Sequence, residues 1–237
     1  MESPVFFIAL LGGVLPALLW LAFWLLEDRC QPEPKRYIVL CFFAGAAVVY
    51  LALQLERYAC TYLVSGGSCT LQPPLLILFV WAAIEEAAKF GAAYFAALRT
   101  RVFNEPLDAV VYLITAALGF SAFENALFLI GPLQDGEVLK SIITGDLRFI
   151  GATLLHVLSS ATVGIALALA YYKGVVARRT AAAIGLILAT ALHTLFNFFI
   201  LGSSGGTVFW IFLCIWFGIV VLLFMTEQVK QPARDYC

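Results

Sequence analysis

The stretch PPLLILFVWAAIEEAAKFGAAYFAAL, Pro73–Leu98, decides how the rest of the chain reads. It is long enough to cross a bilayer as a helix, which takes about 20 apolar residues. Yet its middle carries Glu85, Glu86 and Lys89. An ionised side chain at the centre of a spanning helix costs about 2.5–3.5 kcal/mol on insertion scales, so all three require partners. On a helix Glu85 and Lys89 stand four apart in the favourable acid-before-base order, and Lys89 also follows Glu86 by three. Adjacent carboxylates in a low dielectric cannot both ionise cheaply, and a neighbouring ammonium lowers that cost. Such a cluster can leave one carboxylate basic enough for general-base work.

The composition around this stretch makes a membrane reading unavoidable. Of 237 residues, 63% are hydrophobic and 12% charged, against about 45–50% and about 25% in soluble proteins. So little charge cannot coat a soluble globule, and 14 basic against 15 acidic residues leave no footprint for nucleic acid. Apolar runs predict an all-α, polytopic transmembrane bundle of about seven spans: Val5–Leu26, Tyr37–Leu55, Pro73–Leu98, Leu107–Gly131, Leu147–Tyr172, Thr180–Leu201 and Val208–Thr226. Residues 1–237 read as a single transmembrane domain, with an extra surface helix in Gln134–Thr144. The first span lacks a basic n-region and a small-residue cleavage site, so it reads as a span and not a signal peptide. Lys and Arg lie ten to three in favour of the loops after spans 1, 3, 5 and 7, with Arg57, Lys140 and Arg148 on the other side. That bias predicts the N-terminus outside and the C-terminus in the cytoplasm.

Other spans carry polar residues at matching depths. Span 4 holds Phe120 and Glu124-Asn125, span 5 holds His156, and span 6 holds His193 and Asn197. At about 1.5 Å per residue, Glu85 lies about 18 Å below the outer end of its span, His156 and His193 about 12–14 Å, Glu124 about 10 Å and Asn197 about 6 Å. His193 and Asn197 share a helix face, as do Phe120 and Glu124. A lone intramembrane His is more often an interhelical hydrogen-bonder than a ligand, and Glu124-Asn125 alone could be helix glue. Polar groups from four helices at similar heights in the outer half of the bilayer read instead as one site. Two other classes remain open: a proton- or ion-coupled transporter using the cluster as a relay, and a non-catalytic membrane scaffold. An internal repeat with interrupted helices would favour the transporter, and the sequence has none.

Glu-Glu-x-x-Lys at Glu85–Lys89, Phe-x-x-x-Glu-Asn at Phe120–Asn125, the lone His156, and His-x-x-x-Asn at His193–Asn197 resemble the PrsW-type intramembrane proteases, within the CAAX-protease and bacteriocin-processing superfamily. Asp28-Arg29-Cys-Gln-Pro32-Glu33-Pro34 is similar to an element that follows the first span in that family. The resemblance covers about residues 16–200. It implies an endopeptidase in a bacterial or archaeal membrane that cuts a membrane-anchored protein near its extracytoplasmic side, such as an anti-sigma factor in regulated intramembrane proteolysis. It implies Glu85, Glu86, Glu124, His156, His193 and Asn197 as site residues. The CAAX-type relatives carry His where Glu124 stands, so their mechanism transfers only in outline.

Two schemes fit these residues. In one, His156, His193 and Glu85 or another of the glutamates bind Zn²⁺, and a remaining glutamate is the base. In the other, Glu85 assisted by His156 activates water without metal, and His193 and Asn197 donate to the oxyanion. The ligand chemistry and the family's usual classification favour the metal, although His-Glu-x-x-His is absent. Gly202-Ser-Ser-Gly-Gly206 matches a serine-nucleophile pattern, but it sits in a short loop and no histidine follows His193.

Among six cysteines, Cys60 and Cys69 bracket a loop predicted to lie outside, where disulfides persist. Either they form a bridge or they are free thiols. Non-reducing mass spectrometry of protein from native membranes distinguishes the two, and a free thiol at Cys60 ends the bridge hypothesis.

Overall fold

A computed structural model of the chain describes residues 3–27, 32–64, 69, 73–202 and 205–230. Among these, all regular structure is helical. The order is α1 (Ser3–Glu27), α2 (Lys35–Leu63), α3 (Leu75–Ala93), α4 (Pro106–Gln134), α5 (Val138–Leu147), α6 (Thr153–Leu169), α7 (Val175–Leu201) and α8 (Gly205–Lys230). A π-helical turn, Tyr94–Leu98, ends α3, and a second, Arg148–Ala152, joins α5 to α6.

The bundle is organised around α4. Its start is set locally: Pro106 occupies the first turn, where its missing N–H costs nothing. Asp108 Oδ2 accepts the backbone N–H groups of Asn104 (2.7 Å) and Glu105 (2.9 Å), completing a reciprocal capping box with the Glu105 side chain. From Pro106 to Ala122 every residue of α4 is buried, because α1, α2 and α6 pack around it. A helix apolar on all sides suits that central place. One turn inside, the Tyr112 hydroxyl donates to Glu33, which stands between Pro32 and Pro34 in the segment before α2. Residues 28–31 of that segment lie outside the described residues.

Close helix approach depends on glycine. A Cβ on Gly119 would sit 1.9 Å from the carbonyl oxygen of Phe42, and one on Gly45 would sit 2.0 Å from that of Ala116. These reciprocal contacts bring the α2 and α4 backbones together. Gly164 plays the same part between α6 and α4, where an added Cβ would lie 2.7 Å from Val110 Cα. Small residues at such crossings are the usual means of helix association in lipid.

The outer surface is apolar and the interior holds the polar groups. Phe7 and Leu19 on α1, Phe43 and Tyr50 on α2, and Phe217 and Phe224 on α8 are exposed. Glu86, Lys89, His156 and His193 are buried. Among the described residues, six helical segments are long and apolar enough to cross a membrane: Pro4–Leu26, Lys35–Leu63, Pro106–Gln134, Val138–Leu169, Val175–Leu201 and Gly206–Lys230. The helix that begins at Leu75 is not among them; it carries Glu85, Glu86 and Lys89.

The extra helix expected in Gln134–Thr144 is present as α5, from Val138, and runs through the π turn into α6. Gln134 instead ends α4. Arg148, counted above as a loop charge, lies in that π turn and is half-buried against Glu124. Its charge is neutralised inside the bundle, so it carries no topological information. The Cys60–Cys69 disulfide is formed in the structure. Ser203 and Ser204, of the serine-nucleophile pattern, lie outside the described residues.

Gly119→Leu should separate α2 from α4 and cost more than the ~1–3 kcal/mol of an ordinary overpacked core, because the obstacle is backbone. Gly131→Ala, where an added Cβ meets nothing, should leave the melting temperature unchanged or slightly raised. Thermal unfolding in detergent compares the two, and equal stability would refute the close-packing account.

Candidate active site

Four helices deliver the polar side chains to one buried centre. Glu85, Glu86 and Lys89 come from α3, Glu124 and Asn125 from α4, His156 and Ser159 from α6, and His193 from α7. Helical spacing explains the local part: Glu86 and Lys89 are three apart, as are His156 and Ser159, so each pair projects from one face.

Glu86 is the hub. Its Oε1 accepts from Lys89 Nζ (2.6 Å), Ser159 Oγ (2.8 Å) and His193 Nδ1 (2.8 Å). A carboxylate facing an ammonium only accepts, so His193 carries a proton on Nδ1, and in the neutral ring Nε2 is then the lone pair. That lone pair lies 3.8 Å from Glu85 Oε2.

His156 is held in a second, related arrangement. Lys89 Nζ lies 2.9 Å from its Nδ1, and Glu124 Oε2 lies 3.0 Å from its Nε2. The ammonium only donates, which makes Nδ1 the acceptor and puts the proton on Nε2, toward Glu124. His156 Nδ1 is also 3.9 Å from Glu85 Oε2. The two imidazoles meet edge to face at 5.2 Å between centroids.

Two carboxylate–histidine pairs, Glu86–His193 and Glu124–His156, therefore converge on Glu85. Glu85 Oε2 is buried and has no hydrogen-bond partner. Buried polar atoms are normally satisfied, so an orphaned carboxylate oxygen facing two ring nitrogens marks a place for a further group. One atom from each of Glu85, His156 and His193 falls within 4.8 Å of the other two, close enough for all three to hold one metal ion. The donor set suits zinc, and a carboxylate behind each histidine is the usual outer support of a metal-ligating imidazole. One contact runs the other way: the Lys89 ammonium already occupies His156 Nδ1.

Of the residues singled out from sequence, Glu85, Glu86, Glu124, His156 and His193 come together. Asn197 lies one turn beyond His193, half-buried, and makes no hydrogen bond to the cluster among the described residues. The structure adds residues that sequence reasoning passed over. Ser159 bonds Glu86, and Thr153 Oγ1 (2.9 Å) and Ser121 Oγ (3.2 Å) accept from Nδ2 of Asn125, which the sequence had already singled out beside Glu124. Arg148 pairs with Glu124. Arg148 carried a signal, since it falls inside the predicted fifth span. Serines and threonines carried none, because they are ordinary in spanning helices.

Known proteins bear out the family. A family profile described as PrsW family intramembrane metalloprotease matches residues 33–225, which include every residue of the cluster. The chain is 24% identical to Protease PrsW of Bacillus subtilis over 93% of both chains. It is 26% identical to Protease PrsW of Halalkalibacterium halodurans, over 81% of this chain and 82% of that one. The match to Protease PrsW of Geobacillus kaustophilus, at 24% identity, spans 56% of each chain, little more than half of that relative's length. No solved structure matches. A profile covering most of the chain, six long apolar helices and bacterial relatives matched nearly end to end lead to one statement: the chain belongs to the PrsW family of intramembrane proteases and is an integral, multi-pass protein of a bacterial membrane.

Proposed function

We propose that this protein is an endopeptidase that hydrolyses a peptide bond of a membrane-anchored protein near the extracytoplasmic face, at the centre formed by Glu85, His156 and His193. Residues 1–237 act as one domain, with seven spans, the N-terminus outside and the C-terminus in the cytoplasm. An anti-sigma-factor-like protein is the substrate class, and the reaction is a step of regulated intramembrane proteolysis. The observation that carries this reading is the unpartnered Oε2 of Glu85, facing His193 Nε2 at 3.8 Å and His156 Nδ1 at 3.9 Å. A relay for ions is not favoured, given membership in a protease family.

Peptide hydrolysis takes an activated water, a stabilised oxyanion and a proton for the departing amine. Glu85, His156 and His193 would hold Zn²⁺, which when bound lowers the pKa of water and polarises a carbonyl. Glu86 and Glu124 orient the two imidazoles through their outer nitrogens. Lys89 offsets the Glu86 charge, and Asn197 stands one turn from His193 on the same helix as an oxyanion donor.

The Lys89 contact to His156 Nδ1 favours a second, metal-free version. There Glu85 Oε2 takes a proton from water as oxygen attacks the carbonyl carbon. The same proton passes to the amide nitrogen as the C–N bond breaks, with His156 assisting.

Glu85→Gln should lower cleavage of a tagged single-span substrate in liposomes at least about 100-fold. Because Glu85 Oε2 has no hydrogen bond to lose, the melting temperature should stay within a few degrees. Wild-type cleavage by this variant would refute the assignment, and loss of ion flux instead would restore the relay. Thorough chelation separates the two versions. Zinc at one equivalent, lost in His193→Ala together with cleavage, supports the metal; cleavage that survives complete metal removal supports Glu85 alone.

A further inference from the structure

Arg148 is a charged side chain beside the cluster that the mechanism leaves unused. The π-helical turn Arg148–Ala152 interrupts the run from α5 into α6, and such turns occur often at functional sites. The guanidinium is held on three sides. Its Nη2 donates to Glu124 Oε2, its Nε donates to Asn125 Oδ1 at 2.5 Å, and its Cζ lies 3.9 Å from the centre of the Phe128 ring. Asn125 is itself fixed by Thr153 and Ser121. The oxygen of Glu124 that receives Arg148 is also the one 3.0 Å from His156 Nε2.

The chain of contacts thus runs from Asn125 and Phe128 through Arg148 and Glu124 to His156. Without the guanidinium, Glu124 would be a carboxylate in a largely apolar surround with the imidazole as its remaining partner. It would then be free to rotate, and rotation releases Nε2. A planar fork spanning Glu124 and Asn125 cannot be replaced by a point charge without losing one of the two.

Building on the protease reading above, we infer that Arg148 is a positioning residue of the reaction: it clamps Glu124 onto His156 Nε2 and so keeps the opposite ring nitrogen turned toward Glu85. Arg148 touches neither Glu85 nor His193 and acts only through Glu124. The interrupted helix is what lets a residue of the α5–α6 rod reach back to α4.

The two histidines are the only ones in the chain, so selective ¹⁵N-histidine labelling gives the resonances of just two rings. Wild-type protein in lipid should show opposite tautomers, Nε2–H for His156 and Nδ1–H for His193. Arg148→Gln should move the His156 resonances and leave those of His193 in place. It should lower kcat about 10- to 100-fold with KM unchanged, as loss of an outer-shell partner does, and Arg148→Lys should recover part of that loss. Phe128→Leu, at an exposed ring, should act in the same direction more weakly, and it carries the test if Arg148→Gln does not fold. Unmoved His156 resonances, or wild-type kcat in the variant, would overturn the inference. If Glu85→Gln cleaves normally while Arg148→Gln still moves the His156 resonances, the clamp stands and the assignment of the reacting centre falls.

Discussion

The Glu86 carboxylate, buried with Lys89 and bonded to Ser159 and His193, is the contact on which the rest of the structure depends. A carboxylate and an ammonium removed from water each lose hydration worth several kcal/mol, and they regain it only when geometry and extra hydrogen bonds are good. Here one oxygen collects three donors from three helices, at 2.6–2.8 Å. Those bonds tie α3 to α6 and α7 at a fixed height and rotation. The same oxygen sets the His193 tautomer, and the same lysine sets that of His156. Charge neutralisation, helix register and the orientation of both imidazoles are thus one event.

That arrangement leaves Glu85 outside it. Glu86 takes the lysine and the hydroxyl, so its neighbour keeps an oxygen without a partner between two lone pairs. Glu86 Oε2 is unpartnered as well, so the adjacent glutamates differ in the three-donor Oε1 of Glu86 and in the two ring nitrogens that face Glu85 Oε2. A bundle could support this unsatisfied group only if its surroundings were rigid. The glycine crossings at Gly45, Gly119 and Gly164 bring backbones into contact on both sides of α4.

Most of the centre was legible in the sequence, and for a physical reason. Charged and imidazole side chains are costly in hydrocarbon, so Glu85, Glu86, Glu124, His156 and His193 stood out against apolar spans whatever their partners. The helical rise placed them at one depth without knowledge of packing. Arg148 was misjudged because it stands at the edge of a span, where a loop charge and a buried counterion look the same. Ser159, Thr153 and Ser121 were silent because a hydroxyl in a spanning helix can bond its own backbone, as Thr115 and Thr162 do here. Such a residue gives no sign of an interhelical partner until that partner is placed.

The sequence by itself determined an apolar, helical, membrane-embedded chain with a handful of ionisable groups near one level. Hydropathy and helical period are properties of neighbouring residues and survive without tertiary context. Only the tertiary structure decided which nitrogen faces which carboxylate, which glutamate collects the donors, and that Arg148 belongs to the interior. Those pairings join positions 23 to 107 residues apart. They depend on the rotation and offset of whole helices, to which glycine contacts and a π turn contribute.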